Sequence, residues 1–219
     1  MGSPNDLVFD APSADAAAAD RDLWALYGES MPVEEREPRR VIVASVAAGD
    51  AVVARARHGA TRTVGFAVTH LLKQPPAAFL VYLAVAEQER GAGIGGRLFE
   101  YAWGTAERVA ASRGSELLGV TWEIDDPERA PNSAEREHRV RRRNFFARLG
   151  GAPLAVAYLQ PPVNGPAPVP MRLMWRAKPG RASPDVRALV RAIYFEKYGA
   201  ANGVRTETLD SLLEQVLAT

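Results

Sequence analysis

Leu83-Ala84-Val85-Ala86-Glu87-Gln88-Glu89-Arg90-Gly91-Ala92-Gly93-Ile94-Gly95-Gly96-Arg97-Leu98 is the stretch that decides how this chain is read. An almost unbroken apolar run, residues 79–85, ends here, and four glycines follow within residues 91–96. Then Ile94, Leu98, Phe99, Ala102, Ala106, Val109 and Ala110 recur at helical spacing as far as residue 112. The pattern is a strand buried on both faces, a turn, and a long amphipathic helix. Glycine lets the backbone turn sharply and lets its N–H groups approach a ligand. A helix start adds unpaired N–H donors and the positive end of a dipole, together an anion site suited to a pyrophosphate. A plain tight turn is the simpler alternative.

Two familiar phosphate loops fit poorly. The P-loop needs Gly-Lys-Ser/Thr, which the chain lacks. Residues 91–96 can be written Gly-x-Gly-x-x-Gly, with Glu116 as an acidic ribose partner. Three strand-like segments precede them, however, and antiparallel elements surround them, which argues against a dinucleotide fold.

Working outward, residues 11–20 are rich in Ala and Asp and lead into Leu23, Trp24, Leu26 and Tyr27, with Ser13 or Asp15 as a helix cap. Pro32 and the charged run 34–40 end that helix. Residues 41–46 fit a short helix or a strand. Residues 51–57 and 64–72 read as strands joined by a turn near Gly59. Beyond the long helix, residues 117–122 form the next strand, so the strand–helix–strand order implies a parallel crossover. Residues 125–133 form a loop, and 135–149 a helix stopped by Gly150-Gly151. Residues 154–159 and 171–175 read as a final antiparallel pair linked by the Pro- and Gly-rich stretch 161–170. Two helices, 185–198 and 206–217, close the chain. The expected organisation is one domain over residues 7–178 with a helical extension, 179–219, packed on it.

The 219 residues are 47% hydrophobic and 24% charged, with a net charge of +1. That is the balance of an ordinary globular protein and gives no general pull toward nucleic acid or membrane. The absence of cysteine excludes disulfides, thiolate metal sites and a cysteine nucleophile. His58, His70 and His138 are not spaced as metal ligands, so no metal is expected. No apolar run approaches the roughly 20 residues of a membrane span. Residues 1–6 lack the features of a signal peptide, so a cytoplasmic location is expected. Arginines number 24 against 3 lysines, and with abundant alanine this suggests a GC-rich genome more than a function.

Arg90-Gly91-Ala92-Gly93-Ile94-Gly95 at the head of the long helix resembles the Arg/Gln-x-x-Gly-x-Gly/Ala pattern of the GNAT acyltransferase superfamily. Asn144-Phe145-Phe146-Ala147-Arg148-Leu149-Gly150-Gly151 is similar to the Phe-Tyr-x-x-x-Gly-Phe end of that family's fourth helix. The order of elements agrees from about residue 7 to 177. The resemblance implies an α/β (α+β) fold: a mixed central sheet whose parallel central strands splay apart, flanked by helices, here with C-terminal helices added.

It also implies a function, the transfer of an acetyl group from acetyl-CoA to a primary amine in a ternary complex. The pantetheine arm would pair with the backbone of Leu83, Ala84 and Val85. The N–H groups of Gly91, Gly93, Ile94, Gly95 and Gly96 would hold the pyrophosphate, with Arg90 and Arg97 as phosphate partners and Asn144 and Phe146 beside the arm. The family's usual acid is a tyrosine, where this chain has Phe146. Tyr82, Tyr158, a water, or unassisted departure of the thiolate are the alternatives. For the base, Glu123 at a strand end is the first candidate, with an ordinary exposed strand-end carboxylate as the alternative reading. Glu34 and Glu35, in a segment similar to the family's Phe-Pro-x-x-Glu-Arg, are the second candidates for the base and are expected where the acceptor enters, a charged loop ending the helix being the plain alternative. Gln160, which shares a face with Tyr158, is expected to line the acceptor pocket or to be an ordinary strand residue. The partner implied is a small-molecule amine; association as a homodimer is left open. Arg136, Arg139 and Arg143 share a helix face that reads as solvated, or as a contact for the CoA 3′-phosphate or an acidic partner. A non-catalytic acyl-CoA-binding or regulatory module is the competing reading.

Overall fold

Short apolar runs punctuated by glycine and proline become strands in this chain, and Ser, Asp and Asn at the ends of polar runs become helix caps. A computed structural model describes residues 7–59 and 62–218; residues 1–6, on which the expected cytoplasmic location partly rested, lie outside the described residues. The strands β1 (Leu7–Asp10), β2 (Ala51–His58), β3 (Arg62–Lys73), β4 (Pro76–Val85), β5 (Gly119–Asp125), β6 (Ala152–Pro153), β7 (Leu159–Gln160) and β8 (Val169–Ala177) follow the hydrogen-bonded order β1-β2-β3-β4-β5-β8-β6, with β7 paired to β8, in a mixed α/β architecture. The chain divides into two units, the first comprising the residues up to Leu71 with Leu80–Glu116, the second Leu72–Phe79 with Leu117–Thr219.

In the first unit, β1 (Leu7–Asp10) is followed by α1 (Ala14–Ala19) and α2 (Arg21–Ser30). Ser13 caps α1 by accepting from the Ala16 N–H, and Asp20 caps α2 by accepting from the Leu23 N–H at 2.9 Å. Residues 41–46 lie in a helix, α3 (Arg39–Ala48). It opens after Pro38, whose fixed φ suits a helix start, and closes at Gly49 in the left-handed region, φ 72°. β2 (Ala51–His58) and β3 (Arg62–Lys73) pair antiparallel, with an irregularity at Ala56/Arg57. β4 (Pro76–Val85) leads through the glycine loop to α4 (Ile94–Ala111). The buried positions of α4, among them Ile94, Leu98, Ala102, Thr105 and Ala106, recur every three to four residues, as one face of a helix does. The core gathers Leu23, Leu26, Tyr27, Ile42, Val53, Phe66, Val68 and Tyr82.

Arg55 ties the strands of this unit to α2. Buried on β2, it donates to both carboxylate oxygens of Asp10 (2.9 and 2.8 Å) and to Asp20 Oδ2 (2.8 Å), which also accepts from the Thr63 hydroxyl at 2.7 Å.

In the second unit, β5 (Gly119–Asp125) starts beside the start of β4, where the Leu118 N–H donates to the Pro76 carbonyl at 2.9 Å, so these strands run parallel. Sequence reading ends this strand at Trp122. Pairing with β8 continues to Asp125, which places Glu123 inside β5 rather than at its end. α5 (Ser133–Arg148) is capped by Asn132 and stops at Gly150. At Gly151 a Cβ would lie 2.4 Å from the Trp122 ring, so that position accepts only hydrogen.

The expected strand over residues 154–159 does not form. Within residues 152–160 only the two-residue strands β6 (Ala152–Pro153) and β7 (Leu159–Gln160) form, each paired with β8 (Val169–Ala177), and the Leu154 N–H adds one bond to the Leu173 carbonyl at 2.9 Å. Between them the backbone bonds to itself across two residues, Val156 N–H to Leu154 C=O (2.9 Å) and Tyr158 N–H to Val156 C=O (3.0 Å). These tight turns use up donors that a ladder would need. α6 (Val186–Ala192) continues as a π-helical segment, Ile193–Ala201, and α7 (Thr206–Leu217) follows. Both C-terminal helices fall in the second unit.

Candidate active site

The loop between β4 and α4 is shaped by two glycines. Gly91 and Gly93 have φ of 87° and 75°, a region that side-chain-bearing residues rarely enter. A Cβ on either would meet nothing within 4 Å, so they are required by backbone conformation and not by packing. Gly93 caps α4 without any side-chain hydrogen bond, and Arg97 N–H to Gly93 C=O (3.3 Å) is the first bond of that helix. The N–H groups of Ile94, Gly95 and Gly96 precede that bond and have no acceptor within the helix.

The loop is anchored from behind. His58 Nε2 lies 3.1 Å from Glu89 Oε2 and Arg62 pairs with the other oxygen, which ties the turn Glu87–Glu89 to the ends of β2 and β3. Leu83, Ala84 and Val85 end β4. The Val85 carbonyl accepts from Arg90 Nε at 3.1 Å, and the Ala86 N–H donates to Val64. Arg90 is exposed, and Arg97 lies over the Phe9 ring at 4.9 Å.

Tyr82 does not stand free to give a proton. Its hydroxyl donates to the Glu35 carbonyl (2.8 Å) and accepts from the Glu37 N–H (3.0 Å), while Tyr27 donates to the Glu37 carbonyl at 3.0 Å. Burial, then the charge of Glu37, pushes the Tyr82 phenol well above its usual range. Burial likewise pushes Tyr27 up to about 12. The two tyrosines fasten the segment after α2. Of its carboxylates, Glu34 is exposed and Glu35 partly so, and it is Glu37 that is buried, at 3% exposed.

In the second unit the structure gathers Glu123, Tyr158 and Gln160, three residues that sequence reading singled out. The Tyr158 hydroxyl donates to Glu123 Oε1 through a short hydrogen bond, and Gln160 Nε2 donates to Oε2 at 2.6 Å. A fourth residue, Tyr198, reaches both oxygens, at 3.0 and 2.8 Å. Glu123 keeps some exposed surface as a residue, but its carboxylate is enclosed by these donors. Burial pushes the Glu123 carboxyl above the ordinary range; the bonds from Tyr158, Gln160 and Tyr198 and the charge of Lys197 pull the other way. Burial and the Glu123 charge push the Tyr158 phenol well up. A buried carboxyl shifted upward and enclosed by donors is a candidate for proton transfer.

Tyr198 and Lys197 escaped sequence reading because they stand some 75 residues from Glu123, and no local pattern marks such a contact. Phe146 is buried at 2% exposed, its ring 4.9 Å from that of Trp122, and Asn144 is exposed on α5. Arg136 pairs with Glu128 at 3.0 Å and Arg139 with Glu135 at 2.9 Å, so much of the cationic face of α5 is balanced by carboxylates. Among the described residues no group of acidic or histidine side chains could hold a metal ion, and no helix is long and apolar enough to cross a membrane.

No protein-family model matches the sequence, and no curated protein matches it. Solved structures do. A GNAT-family protein of Bacteroides thetaiotaomicron superposes with a TM-score of 0.64 at 19% identity, covering 90% of this chain and 99% of that one. NAA60 of Arabidopsis thaliana, solved in complex with acetyl-CoA, gives 0.57 at 13% identity over 80% of this chain and 99% of its own. A GNAT acetyltransferase of Staphylococcus aureus gives 0.54 at 11% identity over 78% and 98%. With β4, the glycine loop, α4 and β5 in the order the sequence implied, the chain has the fold of the GNAT acetyltransferases.

Proposed function

We propose that the chain is an N-acetyltransferase that moves an acetyl group from acetyl-CoA to a primary amine of a small molecule, by direct transfer in a ternary complex. The observation that carries this reading is the backbone of residues 90–96: two left-handed glycines, then a helix start with no side-chain cap. That donor set fits a pyrophosphate, because N–H groups at a helix N-terminus, next to glycines with no Cβ in the way, suit a doubly charged anion. Leu83, Ala84 and Val85 at the end of β4 would take the pantetheine amides as an added strand does. Arg90 and Arg97, both exposed, would meet the phosphates.

Glu123 acts as the base. An ammonium ion cannot attack, so its proton must leave before the nitrogen lone pair adds to the thioester carbonyl. The carbon–sulfur bond then breaks and the thiolate needs a proton. Phe146 has none to give and the Tyr82 hydroxyl is committed to backbone; the acid is Tyr158, whose O–H is released from Glu123 once that carboxyl is protonated and donates back to the phenol oxygen. The Tyr158 O–H proton goes to the thiolate and the phenol recovers the one that Glu123 took from the ammonium, while the second proton, carried by the nitrogen after it adds to the carbonyl, goes to solvent. Glu34, Glu35 and Gln160 belong to the acceptor side. A small acceptor is supported by the irregular Pro- and Gly-rich stretch after Gln160, which lies in the same unit as Glu123.

The test is thiol release from acetyl-CoA with a panel of small amines. Release with at least one amine, lost in Glu123→Gln, is expected. Saturable acetyl-CoA binding without release to any amine would favour the non-catalytic acyl-CoA-binding module instead.

A further inference from the structure

The C-terminal segment contributes a donor to Glu123, and its own anchoring suggests why. Glu196 accepts from the Lys73 and Gln74 N–H groups at 2.7 and 3.2 Å. These bonds fix the π-helical segment in place. On it Tyr198, 3% exposed and with its ring 6.4 Å from Phe79, turns its hydroxyl onto the carboxylate. Tyr158 holds Oε1 and Gln160 holds Oε2, so each oxygen already has a donor. One more O–H shared between the two oxygens prevents the carboxylate from rotating about its Cγ–Cδ bond. Helix-to-strand packing needs no such arrangement, since an apolar side chain would bury as well without desolvating a phenol. π-helical turns within α-helices recur at functional sites.

We propose that Tyr198 is a positioning residue for acyl transfer: by bridging both oxygens of Glu123 it fixes the plane of that carboxylate and favours its ionised form. The proposal rests on Glu123 being the base. The charged and titratable groups that bear on Glu123 are Tyr158, Tyr198 and Lys197, joined by the neutral Gln160, and Tyr194, which feels its charge while its hydroxyl goes to the Leu159 carbonyl. Burial raises the carboxyl, and removing the Tyr198 hydroxyl takes away one of the bonds that oppose that rise.

The experiment compares wild type with Tyr198→Phe, using Tyr194→Phe as the control whose hydroxyl serves a backbone carbonyl. Two quantities are read. One is the titration of the Glu123 carboxyl by carbon NMR, assigned by loss of its signal in Glu123→Gln; the other is kcat/KM for acetyl transfer against pH. In Tyr198→Phe the NMR midpoint and the rising limb both move to higher pH. The rate below the limb falls about tenfold, the scale of one hydrogen bond to a charged group. The high-pH plateau and KM for acetyl-CoA are retained, and Tyr194→Phe moves neither midpoint nor limb. An unmoved midpoint in Tyr198→Phe, or a rate lowered equally at all pH, overturns the proposal. Should Tyr198→Phe not fold, 3,5-difluorotyrosine at position 198, a stronger donor, must lower the midpoint; an unmoved midpoint there is equally fatal. Absence of turnover in the wild type with a shifted midpoint would sink the acetyltransferase reading and leave the Tyr198–Glu123 coupling standing.

Discussion

Replacing Arg55 with methionine should cost the protein about 3 kcal/mol at neutral pH. Arg55 is 7% exposed and bonds Asp10 twice and Asp20 once, all within 2.9 Å. Removing one partner of a buried ion group typically costs 3–5 kcal/mol, because the remaining charge is left without compensation. The lower end applies, since the Asp10 side chain is 32% exposed and can rehydrate, while that of Asp20 is 10% exposed and cannot. The pH dependence has a definite sign. Burial alone would raise the Asp20 carboxyl, but the Leu23 N–H, the Thr63 hydroxyl and Arg55 together hold it below the ordinary range. A depressed carboxyl contributes stability that is present above its unfolded pKa and lost as pH falls through the folded value. The gap between wild type and Arg55→Met should therefore be widest near pH 7 and shrink as pH falls below about 4. Urea unfolding at a series of pH values measures it. A gap under about 1 kcal/mol at pH 7, as for an exposed pair, or one that does not change with pH, would refute the reasoning.

Three further outcomes are expected. Glu123 has a raised carboxyl, so its contribution to stability is present below the unfolded pKa and lost as pH rises through the folded one. Wild type should thus lose ground to Glu123→Gln on raising the pH above about 4.3, read by denaturant unfolding, and equal pH slopes would contradict this. Gly151→Ala should cost about 2 kcal/mol, because its Cβ would press on the Trp122 ring at 2.4 Å and that ring is 1% exposed. Tyr82→Phe should cost about 1–2 kcal/mol for two lost hydrogen bonds while kcat and its pH profile hold, and a collapse of kcat would restore Tyr82 as the acid.

The parts of this fold that are legible in the sequence are those with local causes. The glycine loop announces itself through φ requirements at Gly91 and Gly93, and α4 through its apolar spacing. α3 stays ambiguous because its β-branched residues suit either state, although Pro38 and Gly49 bracket it as a helix. Residues 154–159 mislead for the opposite reason: their apolar run suits a strand, but successive tight turns take up the backbone donors. At the candidate site, Glu123, Tyr158 and Gln160 could be named one by one. That they converge on a single carboxylate, joined by Tyr198 from the C-terminal segment, depends on tertiary packing that no short pattern encodes. Glu37 was passed over for Glu34 and Glu35 because burial, and not proximity to the Pro32 turn, distinguishes it.

The measurement closest to the centre of the account is calorimetric titration with acetyl-CoA of the wild type and a Gly93→Glu variant. The left-handed φ of Gly93 makes the substitution cost about 1–2 kcal/mol of stability, a loss that circular dichroism can show to leave the fold intact. Saturable binding to the wild type is expected, and none to the variant, whose carboxylate would stand where the pyrophosphate belongs. A wild type that does not bind acetyl-CoA, or a folded variant that binds it equally well, would contradict the assignment of the loop.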